Sequence, residues 1–294
     1  MRPKGNAPGT SVGTLAAAAR VIGNLGSNLS RNLLQWCAIL AHAPRAHIPP
    51  VPKEAVAASL LVLAAAAGAM FFVDLAATDW AHTLPGWFTA AFEQITNFGL
   101  SGWFLFPFGS ALLGLAVIIS TALPRAAQGV LAALAARFGF LFLAIGAPGL
   151  FTTIVKRLIG RARPYVGSHD NPFLYRPFAW QSEYASLPSG HAATAAAAAF
   201  AIGALWPRSR WIMWLYALTI LFSRIVVFAH HPSDVIAGAL VGSVGAALVR
   251  RSFAARRLAF SPRDLRTLPG PSFRRVTAAL HRALLALGRP ARKA

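Results

Sequence analysis

Three short stretches carry side chains able to handle a phosphate. In KRLIGRARP, residues 156–164, Lys156 is followed by Arg163 and Pro164. If the apolar helix before it continues through Gly160, Lys156 sits at its end and Pro164 breaks the chain, so both cations can point into one pocket. LPSGHAAT, residues 187–194, puts Ser189 in N-cap position, Gly190 where backbone can approach closely, and His191 in the first turn of an alanine-rich helix. Free N–H groups and the positive end of the helix dipole suit phosphate oxygens there. In SRIVVFAHHPSD, residues 223–234, Ser223 and Arg224 precede His230, and Asp234 follows. On a regular helix, at about 1.5 Å rise per residue, Arg224 lies roughly 9 Å below His230. A cation at that depth needs a polar interior and an anionic partner. Asp234 can hold one imidazole nitrogen and stabilise an imidazolium as it develops.

Each stretch also has a plainer reading when taken alone. Lys156 and Arg163 could be snorkelling anchors at a helix end, and PSGH a capped helix with an incidental interfacial histidine. A metal held by His230, His231 and Asp234 is disfavoured, because the cations nearby would repel a divalent ion. All three stretches, however, fall at the same ends of successive apolar segments, which favours one shared anion site.

The elements that must position these residues are membrane spans. Hydrophobic residues make up 56% of the 294, charged residues 12%, and the mean hydropathy is +0.55, too apolar for an ordinary soluble protein. Six stretches approach the roughly 20 residues a spanning helix needs, at about 55–73, 101–120, 131–155, 191–206, 211–229 and 235–249. The expected fold is therefore all-α, a bundle of six transmembrane helices. Between the first two spans, residues 74–99 carry Asp74, Asp79 and Glu93 but no Lys or Arg, with Trp80, Trp87, Phe88 and Phe92 suited to an interfacial helix on the outer face. No internal repeat is visible. The expected organisation is a basic N-terminal segment, 1–54, a six-span domain, 55–250, and a basic C-terminal tail, 251–294.

The net charge of +20 resides mainly at the two ends: twelve of the 28 Lys and Arg lie from Arg250 onward, and six between Arg2 and Lys53. Without interleaved aromatic residues for base stacking, these tails point to anionic lipids and to topology rather than to nucleic acid. The single cysteine, Cys37, allows no intramolecular disulfide and suggests no thiol metal site. The N-terminal apolar run is interrupted by Arg20, Asn24 and Arg31, lacks a clean signal-peptide core and reads as a weakly amphipathic surface segment. Arg125, Arg137, Arg208 and Arg210 mark inner loops, so six spans put both termini in the cytoplasm. Residues 156–190 then face outward despite Lys156, Arg157, Arg161, Arg163 and Arg176. A bound anion explains that exception better than topology does.

Together, KRLIGRARP, PSGH and SRIVVFAHHPSD resemble the three-part signature of the PAP2 superfamily, the type 2 phosphatidic acid phosphatases, over residues 156–234, with every motif position filled. The resemblance implies a six-span helical fold and cofactor-free, metal-independent hydrolysis of phosphomonoesters or diphosphates on lipids. By position it makes Lys156, Arg163, Arg224, Ser189 and Gly190 the phosphate-binding set. It makes His230 the nucleophile, Asp234 its orienting partner and His191 the acid that protonates the leaving oxygen. The expected setting is the inner membrane with the site facing the periplasm. Undecaprenyl diphosphate, phosphatidylglycerol phosphate, phosphatidate, sphingoid phosphates and lipid A all fit, and the oligomeric state is not legible. A vanadium-dependent haloperoxidase shares the anion site, but those relatives are mainly soluble. A non-catalytic lipid-binding protein would lack a nucleophile or a cation, and none is missing.

Overall fold

The structure is a computed structural model that describes residues 9–44, 46–167 and 171–287. The basic residues Arg2, Lys4, Arg45, Arg289, Arg292 and Lys293, and residues 168–170 of the segment expected at the site's mouth, lie outside the described residues. Among the described residues ten α-helices follow one another: α1 (Gly9–Ala41), α2 (Lys53–Phe72), α3 (Asp74–His82), α4 (Gly86–Thr96), α5 (Gly102–Ile118), α6 (Arg125–Ile159), α7 (Gly190–Leu205), α8 (Arg210–Val226), α9 (Pro232–Ala255) and α10 (Phe273–Ala286). The fold is all-α; among the described residues the only β pairing is two isolated antiparallel bridges, Arg161 with Tyr175 and Phe260 with Thr267.

By length and composition, four helical stretches among the described residues can cross a membrane: Lys53–Phe72, Gly86–Ile118, Arg125–Ile159 and Pro232–Ala255; Gly190–Leu205 is apolar but shorter. The region expected to hold one interfacial helix folds as two, α3 and α4. α4 runs through a single 3-10 turn, Asn97–Gly99, toward α5, so that the span expected at 101–120 is the second half of a longer apolar stretch.

The chain forms two compact units. Of the described residues, one comprises 9–44, 109–138 and 269–287. Its core is a seam of small and aliphatic side chains, Leu115, Leu123, Ala127, Leu131 and Ala135 against Ala279, Ala283 and Ala286. Asn28 and Asn32 of α1 cap carbonyls at the end of α5 there, donating to Val117 O at 3.0 Å and to Ala116 O and Ile119 O at 2.7 Å each.

The other unit, residues 46–108 and 139–268, holds every residue singled out from the sequence as chemically active. α7 is its centre. Ala192, Ala193 and Ala195 through Ala199 are all fully buried, because alanine lets two helices approach within backbone contact. α9 uses that space. A methyl group on Gly238 would fall 2.4 Å from Ser189 O, and one on Gly242 2.1 Å from Ala193 O. α8 packs on another face of α7, with Ala217 and Ile220 against Ala195 and Ala199. This three-helix packing brings the C-terminal end of α8 to the N-terminal ends of α7 and α9.

Candidate active site

The chain leaves α6 through Gly160, whose φ of +66° is a left-handed turn. A side chain there would collide with Arg176 O, only 1.8 Å from an added Cβ. This turn lets Arg176 N–H donate to Gly160 O at 2.7 Å and folds residues 171–186 back over the helix ends. Lys156, in the last turn of α6, brings its ammonium over Gly190, 4.0 Å from where a methyl group would stand. Lys156, Gly190 and His191 line one cavity of about 360 Å³, closed on its other sides by Leu105, Gly146 and Gly149 among others. The His191 ring lies against Gly99, where an added Cβ would be 2.9 Å from its Cδ2.

α7 begins as its sequence predicts. Ser189 is the N-cap, its hydroxyl accepting from Ala192 N–H at 3.5 Å, and its own N–H donates to Asp234 O at 2.9 Å. The start of α7 is thus tied to the start of α9 through backbone.

At the end of α8, Arg224 O accepts from both Ala229 N–H and His230 N–H at 3.2 Å. Between them Phe228 takes a left-handed φ of 56°, an uncommon state for an aromatic residue. That reversal delivers His230 to the mouth of the helix bundle. Buried Arg224 donates to Thr96 Oγ1 at 2.5 Å. Its Nε, like that of Arg163, is buried and has no hydrogen-bond partner. Two guanidinium groups with an unused donor each, beside a buried imidazole, suit an anion.

His230 is almost wholly buried. Its Nδ1 lies 3.3 Å from Ser186 Oγ, and Ser186 Oγ donates to Asp234 Oδ2 at 2.6 Å. The direct separation of His230 Nδ1 from Asp234 Oδ2 is 3.9 Å, beyond a hydrogen bond. Asp234 therefore holds the imidazole through Ser186 rather than by the direct contact its spacing suggests. Nδ1 is engaged, which leaves Nε2 with its lone pair toward the open side. Burial pushes the His230 pKa down to about 4, with Asp234 opposing and Arg224 and Arg163 adding to the effect. His231 points elsewhere: its Nδ1 is 3.4 Å from Thr78 Oγ1 on α3, and its side chain is fully buried.

The structure brings Lys156, Ser189, Gly190, His191, Arg163, Arg224, His230 and Asp234 together at these helix ends, with Ser189 hydrogen-bonded to Asp234 and Lys156, Gly190 and His191 on one cavity. It corrects one expectation. The five cations of residues 156–176 do not all serve an anion: Arg161 is fully buried between Asp74 and Asp234, at 2.8 and 2.6 Å, Arg157 donates to Trp180 O, and Arg176 lies over the Tyr184 ring. Burial alone would lower the Arg161 pKa; Asp234 and then Asp74 outweigh it and raise it. Asp74, Ser186, Thr96 and Arg161 escaped sequence reasoning. Asp74 is separated from Arg161 by more than eighty residues and stood as one acid of an outer segment. Ser186 has no feature that distinguishes it from its neighbour Ser182.

Residues 137–258 match the family model described as the PAP2 superfamily. Over these residues the chain is similar to the PAP2 superfamily. A lipid A 1-phosphatase of Rhizobium johnstonii is 35% identical over 153 residues, 51% of this chain and 62% of that protein. A second lipid A 1-phosphatase, of Rhizobium etli, is 39% identical over 103 residues, 35% of this chain and 44% of that protein. The chain thus spans less than two thirds of the length of either relative. A solved PAP2-type phosphatidylglycerolphosphate phosphatase of Bacillus subtilis is 21% identical, with coverage of 66% of this chain and 93% of that one and a TM-score of 0.44. The PAP2 match takes in all three stretches, from Lys156 to Asp234, together with Arg161 and Ser186, and excludes Asp74 and Thr96.

Proposed function

We propose that this protein is an integral membrane phosphatase that removes phosphate from an envelope lipid through a phosphohistidine. The observation that carries this reading is His230: a buried imidazole, its Nδ1 engaged by Ser186, next to two arginines whose Nε atoms have no partner. In the first step the Nε2 lone pair of His230 attacks phosphorus, the bond from phosphorus to the lipid oxygen breaks, and His191 gives its proton to that oxygen. In the second, His191 takes a proton from water, which attacks the phosphohistidine, releasing inorganic phosphate and neutral His230. Lys156, Arg163, Arg224 and the backbone at Ser189 and Gly190 hold the equatorial oxygens, where charge accumulates in the transition state. Asp234 stabilises the imidazolium by way of Ser186.

The two relatives named lipid A 1-phosphatase make a 1-phosphorylated lipid A the first substrate to try. The cavity beside His191 lies on the side from which the leaving lipid oxygen takes its proton. We place the protein in the inner membrane with six spans, both termini cytoplasmic and the site at the periplasmic surface, on the distribution of Arg and Lys. The test is phosphate release by detergent-purified protein from lipid A, undecaprenyl diphosphate, phosphatidylglycerol phosphate, phosphatidate and a sphingoid phosphate in EDTA. Release from one or more, lost in His230→Ala, is expected. No release from any of them by the wild type overturns the reading.

A further inference from the structure

Asp234 is held from two sides, and only one of them faces His230. Its Oδ2 receives Ser186 and the His231 N–H at 2.6 and 3.0 Å; its Oδ1 receives Arg161 Nη1 at 2.6 Å. Arg161 is used on every edge: Nε donates to Pro172 O at 2.9 Å, Nη1 also to Ser233 Oγ at 2.7 Å, and Nη2 to Asp74 Oδ2 at 2.8 Å. Asp74 closes the ring, accepting from the Ser233 N–H at 2.9 Å and from its hydroxyl at 2.5 Å. All four side chains are buried. A residue that opens α3, directly after the first long apolar helix, therefore shares one guanidinium with the carboxylate behind the nucleophile, and Ser233 ties that guanidinium to it a second time.

A staple between two segments needs one carboxylate for one guanidinium. Here two buried carboxylates share a single cation, an arrangement whose desolvation is costly. The cluster keeps one negative charge in excess, and it does so behind the imidazole that must turn positive when phosphorus bonds to it. Without Asp74, Arg161 would spend its whole charge on Asp234 and be free to turn. We propose that Asp74 is a positioning residue for the phosphoryl transfer, holding Arg161 and Ser233 so that Asp234 keeps both its orientation and its effective negative charge toward Ser186 and His230. This rests on the phosphatase reading above.

The test is Asp74→Asn in wild-type and Asp234→Asn backgrounds, with kcat and KM measured separately on whichever lipid the wild type hydrolyses. Expected is a fall in kcat of about ten- to a hundredfold with KM within about threefold, because the substrate is not touched. In the Asp234→Asn background, scored above the His230→Ala floor, the same change should cost less than about twofold, since its effect runs through a charge already removed. Asp74→Glu should recover part of the loss. Where Asp74→Asn lowers the yield of folded protein, Ser233→Ala removes the bridge without burying an unpaired charge, and a kcat loss that again vanishes with Asp234→Asn is expected. A wild-type kcat in Asp74→Asn, or an equal fold-loss in both backgrounds, makes Asp74 a structural staple only and overturns the proposal. If the wild type itself releases no phosphate, the phosphatase reading fails and the proposal with it.

Discussion

His230 Nδ1 and Asp234 Oδ2 stand 3.9 Å apart, and the Ser186 hydroxyl occupies the space between them, 3.3 Å from the ring and 2.6 Å from the carboxylate. A serine interposed in this way fixes the tautomer as a direct carboxylate would, while keeping the negative charge one atom further away. It weakens the pull on the ring proton and leaves Nε2 less basic than in a direct pair.

Ser186 should therefore act on rate rather than on binding. Ser186→Ala is expected to lower kcat by about ten- to a hundredfold with KM little changed. Ser186→Thr, which keeps the hydroxyl, should retain more. Steady-state kinetics on the hydrolysed lipid checks this, and equal activity of Ser186→Ala and wild type would remove the bridge from the mechanism.

The contribution of each part of the site to its legibility follows from how local it is. Lys156, Ser189, Gly190, His191, Arg224, His230 and Asp234 sit at helix ends, where spacing, caps and apolar boundaries can be read along the chain. α7 begins at Gly190 and α8 ends at Val226, close to the limits that hydropathy sets. Asp74 and Arg161 meet only because α3 returns to the start of α9, a contact with no local trace. Ser186 shows the same limit on a shorter scale: its role depends on a loop that Gly160 folds back. The composition of 74–99 pointed to an interfacial segment and gave no sign that one of its acids, Asp74, is fully buried against a guanidinium.

The crossing of α7 and α9 depends on Gly242. An added Cβ would lie 2.1 Å from Ala193 O, a backbone atom in a helix that cannot step aside. Gly242→Val should destabilise the protein by about 1–3 kcal/mol or more through overpacking. Gly68→Ala, where an added methyl group meets nothing within 4 Å, is the neutral control. Thermal unfolding in detergent distinguishes them; equal melting temperatures would mean that the helices do not cross at this distance.

The proposed topology predicts which side of the membrane reaches the loop over the site. Ser182 is exposed in that loop, and Cys37 is an exposed free thiol in α1. With Cys37→Ser removing the native thiol, a cysteine introduced as Ser182→Cys should react in intact cells with a membrane-impermeant maleimide. The native Cys37 should react only after permeabilisation of the inner membrane. The reverse pattern would put the site on the cytoplasmic side.

The two adjacent histidines should differ sharply. His230 is beside Ser186, and its backbone N–H is anchored on Arg224 O at 3.2 Å. His231, in extended geometry with φ −71° and ψ 153°, turns its ring toward Thr78. Loss of His230 removes the nucleophile, and His230→Ala should lose several powers of ten in kcat. His231→Ala should retain at least about a tenth of the activity, a penalty near 1.4 kcal/mol, since what it removes is the contact with Thr78 and the cap on α9 rather than a group that meets phosphorus. Acid-labile phosphate trapped from radiolabelled substrate should map to residue 230. Label on His231, or near wild-type turnover by His230→Ala, would reassign the nucleophile.

The pH profile tests the electrostatics of the same residue. Attack requires neutral His230, and burial, with Arg224 and Arg163, holds its pKa at about 4 against the opposing Asp234 carboxylate, below the ordinary 6.5. The acid limb of kcat/KM should therefore lie near pH 4, and an ordinary histidine value would place it near 6.5. Removing a positive charge that depresses the imidazole must raise its pKa, so Arg163→Gln should move that limb upward as well as weaken phosphate binding. The stability consequence has the same sign. The unfolded chain binds the proton first, so His230 costs the fold nothing above about pH 6.5 and destabilises it progressively as pH falls toward 4. Melting temperatures of wild type and His230→Gln should diverge across that interval, the wild type losing more. An acid limb near 6.5 that Arg163→Gln leaves in place would show that His230 is not held in this buried, cation-flanked setting during turnover.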